Sequence, residues 1–418
     1  MRVSMLMTGL GTGLAVAVAT GLAAPAATAQ TAEVLHWWTS GGESAALGEV
    51  RSAFTARGGT WNDTPIAGGA NARAAAVNRM IGNDAPAIFQ FSIGEQLKEL
   101  AAQGFVGDVQ EVAAAGGWDA VLPPLIARIA KEDGKYIAAP LNIHGENWMF
   151  YNTAVLEKAG VAVPKTWPEF LEAAGRLKAA GVTPIALGGQ PWQERVLFNT
   201  VLLGVGGREH YAKVYGDLDE AAMESDAMLE AFSTFAALRG FVDEGSPGRR
   251  WNEATAMLMR GDAAFQFTGD WAKGELVAAG IEPGTAVGCM LAPAKDAAYI
   301  MAVDAFSFGA TSDPQVKAAQ KLMAEVIMDP QVQIAFNRRK GSIPVRTDVT
   351  DPGFDSCAKL AIATIKDPAT HLVSTGLFGV SSAVSGAIDD AISQFWNSPS
   401  MTPEQGRSLF VQTIGDAR

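Results

Sequence analysis

Between residues 33 and 110 the chain alternates two hydrophobic periods, and that alternation most restricts its fold. "EVLHWW" (33–38) reads as a short strand. Ser44–Ala56 follows with helical spacing that places Leu47, Val50 and Phe54 on one face. "GTWNDTPI" (59–66) predicts a second strand. Arg73–Ile81 is helical and closed by Gly82-Asn83-Asp84, and "APAIFQFS" (85–92) is a third strand. Gly94–Gln103 then forms a helix ending at Gly104. Strands regularly separated by helices pair in parallel through right-handed crossovers. The fold class is therefore α/β, and ligands of such sheets sit at the carboxyl ends of the strands. Here those ends read "HWWTSGGE" and "FQFS".

Further along, "GKYIAAPLNIHGENWMFYN" (134–152) is a long extended run, followed by helical periodicity from 153 to 182. Asp219–Gly240 predicts another helix, "GDAAFQFTGDWAKGEL" a strand, turn and helix, 298–310 a return to strand, and Pro314–Asn337 one long helix. No fixed-period repeat or low-complexity block interrupts this. At the amino end, Arg2, an apolar stretch and the small-x-small site Ala27-Thr28-Ala29 before Gln30 have the form of a secretory signal peptide, residues 1–29. No later stretch reaches the ~18 uninterrupted apolar residues of a membrane span. Removing 29 of 418 residues leaves 389, which favours two lobes over one core. The formal charge is −12, or −13 without Arg2, and the pI is near 4.9. That acidity excludes nucleic acid and anionic membrane surfaces as partners, since both require a basic patch. Cys289 and Cys357 are compatible with one disulfide in an oxidising compartment or with two buried thiols.

Catalytic and metal motifs are absent from the sequence. Its four histidines (His36, His144, His210, His371) form no close pair with metal-ligand spacing, and no nucleophile elbow or phosphate loop occurs. Binding chemistry is better represented. Of ten tryptophans, several lie beside glycine turns and hydrogen-bonding residues: "HWWTSGGE", "PLNIHGENW", "GGQPWQE", "RRWNEA" and "FTGDWAKGE". An aromatic face suits the C–H-rich side of a sugar ring, while neighbouring polar groups satisfy its hydroxyls.

The segments "GDWAKGE" (269–275), "NIHGENWMFYN" (142–152), "GGQPWQ" (188–193) and "NRRKGSIPVR" (337–346) resemble, in order along nearly the whole chain, the sugar-binding component of bacterial ABC importers. The match is to the glucose/galactose-type branch of the extracellular solute-binding proteins. That resemblance implies two α/β lobes around a ligand cleft, joined by three crossings near Pro140-Leu141, Leu291–Ala294 and Pro344–Arg346. Lobe one would comprise 31–140 plus 295–345, and lobe two 141–294 plus 346–418.

It further implies a ligand site of Trp37, Trp38, Glu43, Gln90, Trp271, Asp304 and Lys340, with Trp251, His144 and Asn147 as additional members. Two positions depart from the branch: Ser92 stands where relatives carry His or Lys, and Gly376 roughly where they carry His. The sugar class survives these changes, but glucose as its identity does not follow. The expected protein is a periplasmic, non-enzymatic monomer without cofactor. It would bind a glucose- or galactose-like monosaccharide and touch the membrane only through the transmembrane permease subunits of the transporter. The alternatives are a small oligosaccharide, glycoside or polyol ligand, or a secreted sugar-active enzyme on the same architecture. Alternation along the first strand predicts unequal parts for the tryptophan pair, with Trp38, nearer the strand end, the more open to ligand.

Overall fold

The computed structural model describes residues 30–350, 352–367, 369–374 and 378–418. The signal-peptide reading and Gly376 therefore lie outside the described residues. The first sheet has the order Gly59–Pro65, Gln30–His36, Ile88–Ser92, Asp304–Phe308, Ala138–Pro140. Its first three strands are parallel, with Val34 opposite Asp63 and Ile88, as the strand–helix alternation requires. Asp304–Phe308 and Ala138–Pro140 extend it antiparallel, so the sheet is mixed. The expected helices occur as Gly41–Ala56, Gly69–Ile81 and Glu95–Ala102. Gly41–Ala56 starts at a capping box in which Ser40 and Glu43 satisfy each other's backbone N–H groups.

The second sheet orders Val287–Leu291, Trp148–Asn152, Ala263–Thr268, Thr183–Ile185. Pro191–Tyr215 (bent at Gly207, φ 78°) packs against it, Asp226–Leu238 and Ser382–Trp396 pack on that helix, and Pro403–Ala417 packs on those two. A third sheet, Ile343–Pro344, Asn142–Gly145, Ala298–Ala302, His371–Ser374, lies between the other two in the chain's path. Two large hydrophobic clusters form the cores, one centred on the first sheet and one on the second, with a small third cluster of Ala186, Ala254 and Ala263. The first reaches across to Ala272 and Leu276, so the lobes share apolar contact beside the crossings.

The extended run at 134–152 is thus not one element. After Lys135–Tyr136, which pairs with Lys131–Glu132 in a two-stranded sheet, it supplies a strand to each of the three larger sheets, turning over at Leu141 and again at Glu146-Asn147. Likewise 298–310 breaks at Val303: Ala298–Ala302 pairs with Asn142–Gly145 and His371–Ser374, whereas Asp304–Phe308 belongs to the first sheet. Passage into the first sheet therefore occurs at Val303, downstream of the expected Leu291–Ala294. The single helix expected over Pro314–Asn337 is two, Pro314–Ile327 and Pro330–Lys340. Pro330 has no N–H to continue the ladder and disfavours helical geometry at Asp329, which caps the second helix instead. Asp219–Gly240 also divides, at Ser225, whose hydroxyl caps the longer helix. Cys289 and Cys357 form a disulfide, with Cα atoms 6.1 Å apart.

Candidate functional site

One edge of each large sheet faces the crossings. On the first sheet, the chain leaves Gln30–His36 into Trp37-Trp38, and Asp304 stands opposite Ser92 in register. On the second, Ala263–Thr268 runs into Gly269-Asp270-Trp271, and the strand Trp148–Asn152 begins at the same edge. His144 lies between these edges.

The His144 ring is buried and bonded at both nitrogens. Nδ1 is hydrogen-bonded to Asp270 Oδ1, and Nε2 lies 3.1 Å from Asp304 Oδ2 and 3.0 Å from the Asn142 amide nitrogen. Burial alone would lower the His144 pKa, but Asp270 and then Asp304 outweigh it and hold the ring above the ordinary histidine value. Asp304 shows the converse. Burial would raise its pKa, yet His144, Lys340 and Asn142 keep it below the ordinary aspartate value. Asn142 reinforces the pair: its Nδ2 donates to Asp304 Oδ2 at 3.2 Å and its Oδ1 accepts the Asp304 N–H at 2.9 Å. Asp270 Oδ2 also accepts the Gly145 N–H at 3.1 Å. Asp304 Oδ2 is therefore fully used, while Oδ1 accepts no hydrogen bond among the described residues and is the oxygen left for a ligand.

Trp271 stands edge-on to His144 at 5.3 Å between ring centroids and to Trp192 at 5.8 Å. It is half-buried, and its Nε1 is buried without a partner among the described residues. The early tryptophan pair reverses the expected order. Trp38 is 1% exposed and packs on Phe306 and Phe336 at 5.7 and 5.1 Å, because it continues the inward face of the strand into the core. Trp37 is the half-exposed member. Its N–H donates to Gln90 Oε1 at 3.1 Å, and the buried Gln90 Nε2 has no partner among the described residues.

Other expected members are engaged elsewhere. Glu43 and Lys340 bond each other at 3.3 Å in a buried ion pair, and Glu43 Oε2 also accepts the Thr39 and Ser40 N–H groups. Lys340 Nζ sits 5.7 Å from the Trp38 ring centroid, over the core side of the pair. The Asn147 amide is spent on the backbone of Ala298–Ala302, donating to the Ala298 carbonyl at 3.1 Å and accepting from Ile300 N–H at 2.9 Å. Trp251 is half-buried at the start of the helix Trp251–Arg260, where its carbonyl accepts from Gln266 Nε2 at 3.4 Å. Ser92 is half-buried at the sheet edge beside Asp304.

Sequence reasoning missed several neighbours. Asn142 and Asp270 lie inside quoted segments, but their role depends on the fold. Arg195 donates through Nε to Asp389 at 2.6 Å, with Glu146 Oε2 3.9 Å from its Nη1. Burial pushes the Glu146 pKa up to about 7, partly offset by Arg195 and His144. Arg73 lies with its guanidinium carbon 5.8 Å from the Trp37 ring centroid. One signal marked it: the first turn of Gly69–Ile81 holds no acid, and a cation this near a helix amino end opposes the helix dipole. A surface depression of about 560 Å³ around Thr31, Glu33, Arg79 and Thr311 lies at the other edge of the first sheet, away from this chemistry.

A family model described as bacterial extracellular solute-binding protein matches residues 38–331. A protein of Mesorhizobium japonicum named probable sugar-binding periplasmic protein is 40% identical over 412 residues, 97% of this chain and 98% of its own. One of the same name from Brucella suis is 42% identical over 383 residues, 90% of each chain. Among solved structures, a chitin oligosaccharide binding protein superposes with a TM-score of 0.81 at 20% identity, over 93% of this chain and 98% of its own. The bacterial solute receptor AcbH, described with an exclusive substrate preference for β-D-galactopyranose, gives 0.77 at 18%, over 93% and 98%. At these identities the two structures establish the two-lobe α/β solute-binding fold.

Proposed function

The chain belongs to the bacterial extracellular solute-binding proteins, and within that family we propose that it is the periplasmic sugar-binding component of an ABC importer. Its ligand is a monosaccharide of the glucose or galactose type, held in the cleft and delivered to the transmembrane permease subunits. One observation carries this reading. Half-exposed aromatic rings mark the ends of strands in both large sheets, Trp37 bonded to Gln90 and Trp271 edge-on to His144, and His144 and Asn142 hold Asp304 by Oδ2, leaving Oδ1 without a hydrogen bond among the described residues. Rings cover the apolar faces of a pyranose, and an ionised, fixed acceptor takes hydroxyl protons in bonds stronger than neutral ones. The names of the relatives at 40–42% identity support the sugar class and the periplasmic setting. The chain is a binding protein rather than an enzyme. Closure of the lobes follows from contacts to sugar that only the closed state completes.

Calorimetric titration of the mature protein with a panel of neutral monosaccharides, disaccharides and polyols tests the proposal. A monosaccharide should bind tightly and be recovered unchanged, and Trp271→Ala and Asp304→Ala should each weaken it at least tenfold. Unaltered affinity in both variants would remove the site, and any time-dependent product would remove the transport reading. A disaccharide binding more tightly than every monosaccharide would shift the ligand class, with Trp192 beside Trp271 as the second platform.

A further inference from the structure

Arg73 takes no part in the pairs described above. It lies just past the first turn of the helix Gly69–Ile81, whose amino end abuts Trp37. A Cβ built on Gly69 would come 3.3 Å from Arg73 Nη1 and 3.7 Å from the Trp37 ring. Arg73 is half-buried, and no N–H of its guanidinium meets a hydrogen-bond acceptor among the described residues. The charges that act on it all belong to the cleft: Asp304 on its own lobe, and Arg195 and Asp389 from the helices Pro191–Tyr215 and Ser382–Trp396 of the other. The neighbouring cations differ from it in being paired, Lys340 with Glu43, His144 with Asp270 and Asp304, and Arg195 with Asp389.

We propose that Arg73 is a ligand-contacting specificity residue, and that it and Asp304 together select an uncharged polyhydroxy ligand. The inference rests on the sugar-binding reading and narrows it. A guanidinium carries five N–H donors in a rigid fork, and partly desolvated donors without acceptors are costly, so a ligand that supplies acceptors gains from them. The Trp37 ring limits the fork's orientations from one side. Asp304 Oδ1 presents the opposite need, for donors. A hydroxyl both donates and accepts, so neighbouring hydroxyls of one ring satisfy both groups. A ligand carboxylate would gain from Arg73 but meet Asp304, Asp389 and Asp270. A ligand ammonium would gain from Asp304 but meet Arg73, Arg195 and His144.

The test uses the mature protein, its Arg73→Met and Arg73→Lys variants, and three probes. These are glucose or galactose (whichever binds the wild type more tightly), the matching hexuronic acid, and the matching 2-amino sugar. The wild type should prefer the neutral hexose by at least tenfold. Arg73→Met should lose roughly 10- to 100-fold in affinity for it, the range of hydrogen bonds to a charged group. Arg73→Lys should retain part of the affinity, and the ligand-free melting temperatures of both variants should stay within about 2 °C of wild type. Met at 73 binding the hexose within twofold of wild type would overturn the assignment of Arg73 while leaving the sugar reading intact. The uronic acid binding more tightly than the hexose would overturn the selection of neutral ligands. Failure of the wild type to bind any member of this or the wider panel would remove both.

Discussion

Reduction of the Cys289–Cys357 disulfide should destabilise the protein by an amount set by its loop. The bond joins the edge strand Val287–Leu291 to the first turn of the helix Ser356–Lys366, across 68 residues of sequence. Closing a loop of that length removes entropy from the unfolded chain worth about 4 kcal/mol at 25 °C in the chain-entropy model. Unfolding entropy near 2 cal/mol/K per residue converts this to a fall in melting temperature of roughly 5 °C if the whole mature chain melts as one unit. If the second lobe melts alone, the fall is roughly 9 °C. Differential scanning calorimetry with and without a membrane-permeant thiol reductant measures it. Cys289→Ala/Cys357→Ala provides the control, because it should melt close to the reduced wild type and be indifferent to reductant. The noncovalent ties beside the bond are the Lys273–Asp355 ion pair at 3.3 Å and the Ser356 hydroxyl donating to the Pro283 carbonyl at 3.3 Å. A fall below about 2 °C would mean that such ties already hold the segment, and would refute the loop-entropy reasoning.

Trp38→Ala should cost about 3–5 kcal/mol of stability, as expected for emptying a buried aromatic site. Trp37→Ala should instead spare the denaturation midpoint and weaken sugar binding; chemical denaturation paired with titration separates the two, and equal stability losses would sink the distinction. Gly42→Ala places a Cβ 2.5 Å from the Gly274 carbonyl carbon, so it should separate the helices Gly41–Ala56 and Ala272–Ala278 and destabilise by about 1–3 kcal/mol. An unchanged melting temperature would show that this backbone contact is dispensable. The pKa of Glu146 is raised to about 7 in the fold, so the native state holds its proton more tightly than the unfolded chain. Its contribution is full below about pH 4.5 and lost as pH rises through 7. His144, also raised, adds a loss that sets in above its ordinary value near 6.5. Melting temperature should therefore decline from pH 5 to 8, and Glu146→Gln should flatten that decline; a Glu146→Gln profile parallel to wild type would contradict it.

The first lobe was legible because its signals are local. Three strands and three helices follow from period and punctuation, and Gln30–His36 pairs with both of the strands that follow it. The crossings were less legible, because hydrophobic period does not change when a strand passes from one sheet to another. Nothing in "AAPLNIHGENW" announces that Leu141 ends one pairing and begins the next. At the site, sequence resemblance named residues but could not say what each side chain would face. Glu43 and Lys340 are of opposite charge and far apart in sequence, and the fold lets them pair with each other. Trp38 was misjudged because nearness to a strand end says nothing about which face continues inward. Arg73 escaped notice because a cation on an amphipathic helix reads as surface until the neighbouring lobe is in place.

Asp304 is one residue from Val303, where the chain passes between sheets, and the opposite crossing meets it directly, through the Leu141 N–H donating to the Asp304 carbonyl at 2.9 Å. The proposed sugar acceptor therefore sits beside two passages of the chain between sheets. If the lobes hinge at Val303, a small torsional change there would re-aim the carboxylate and rotate the lobes in one motion. The same economy runs in reverse. A permease that prises the lobes apart would turn the Asp304 acceptor away from its sugar as its first effect, and release would begin at the hinge rather than at the mouth of the cleft.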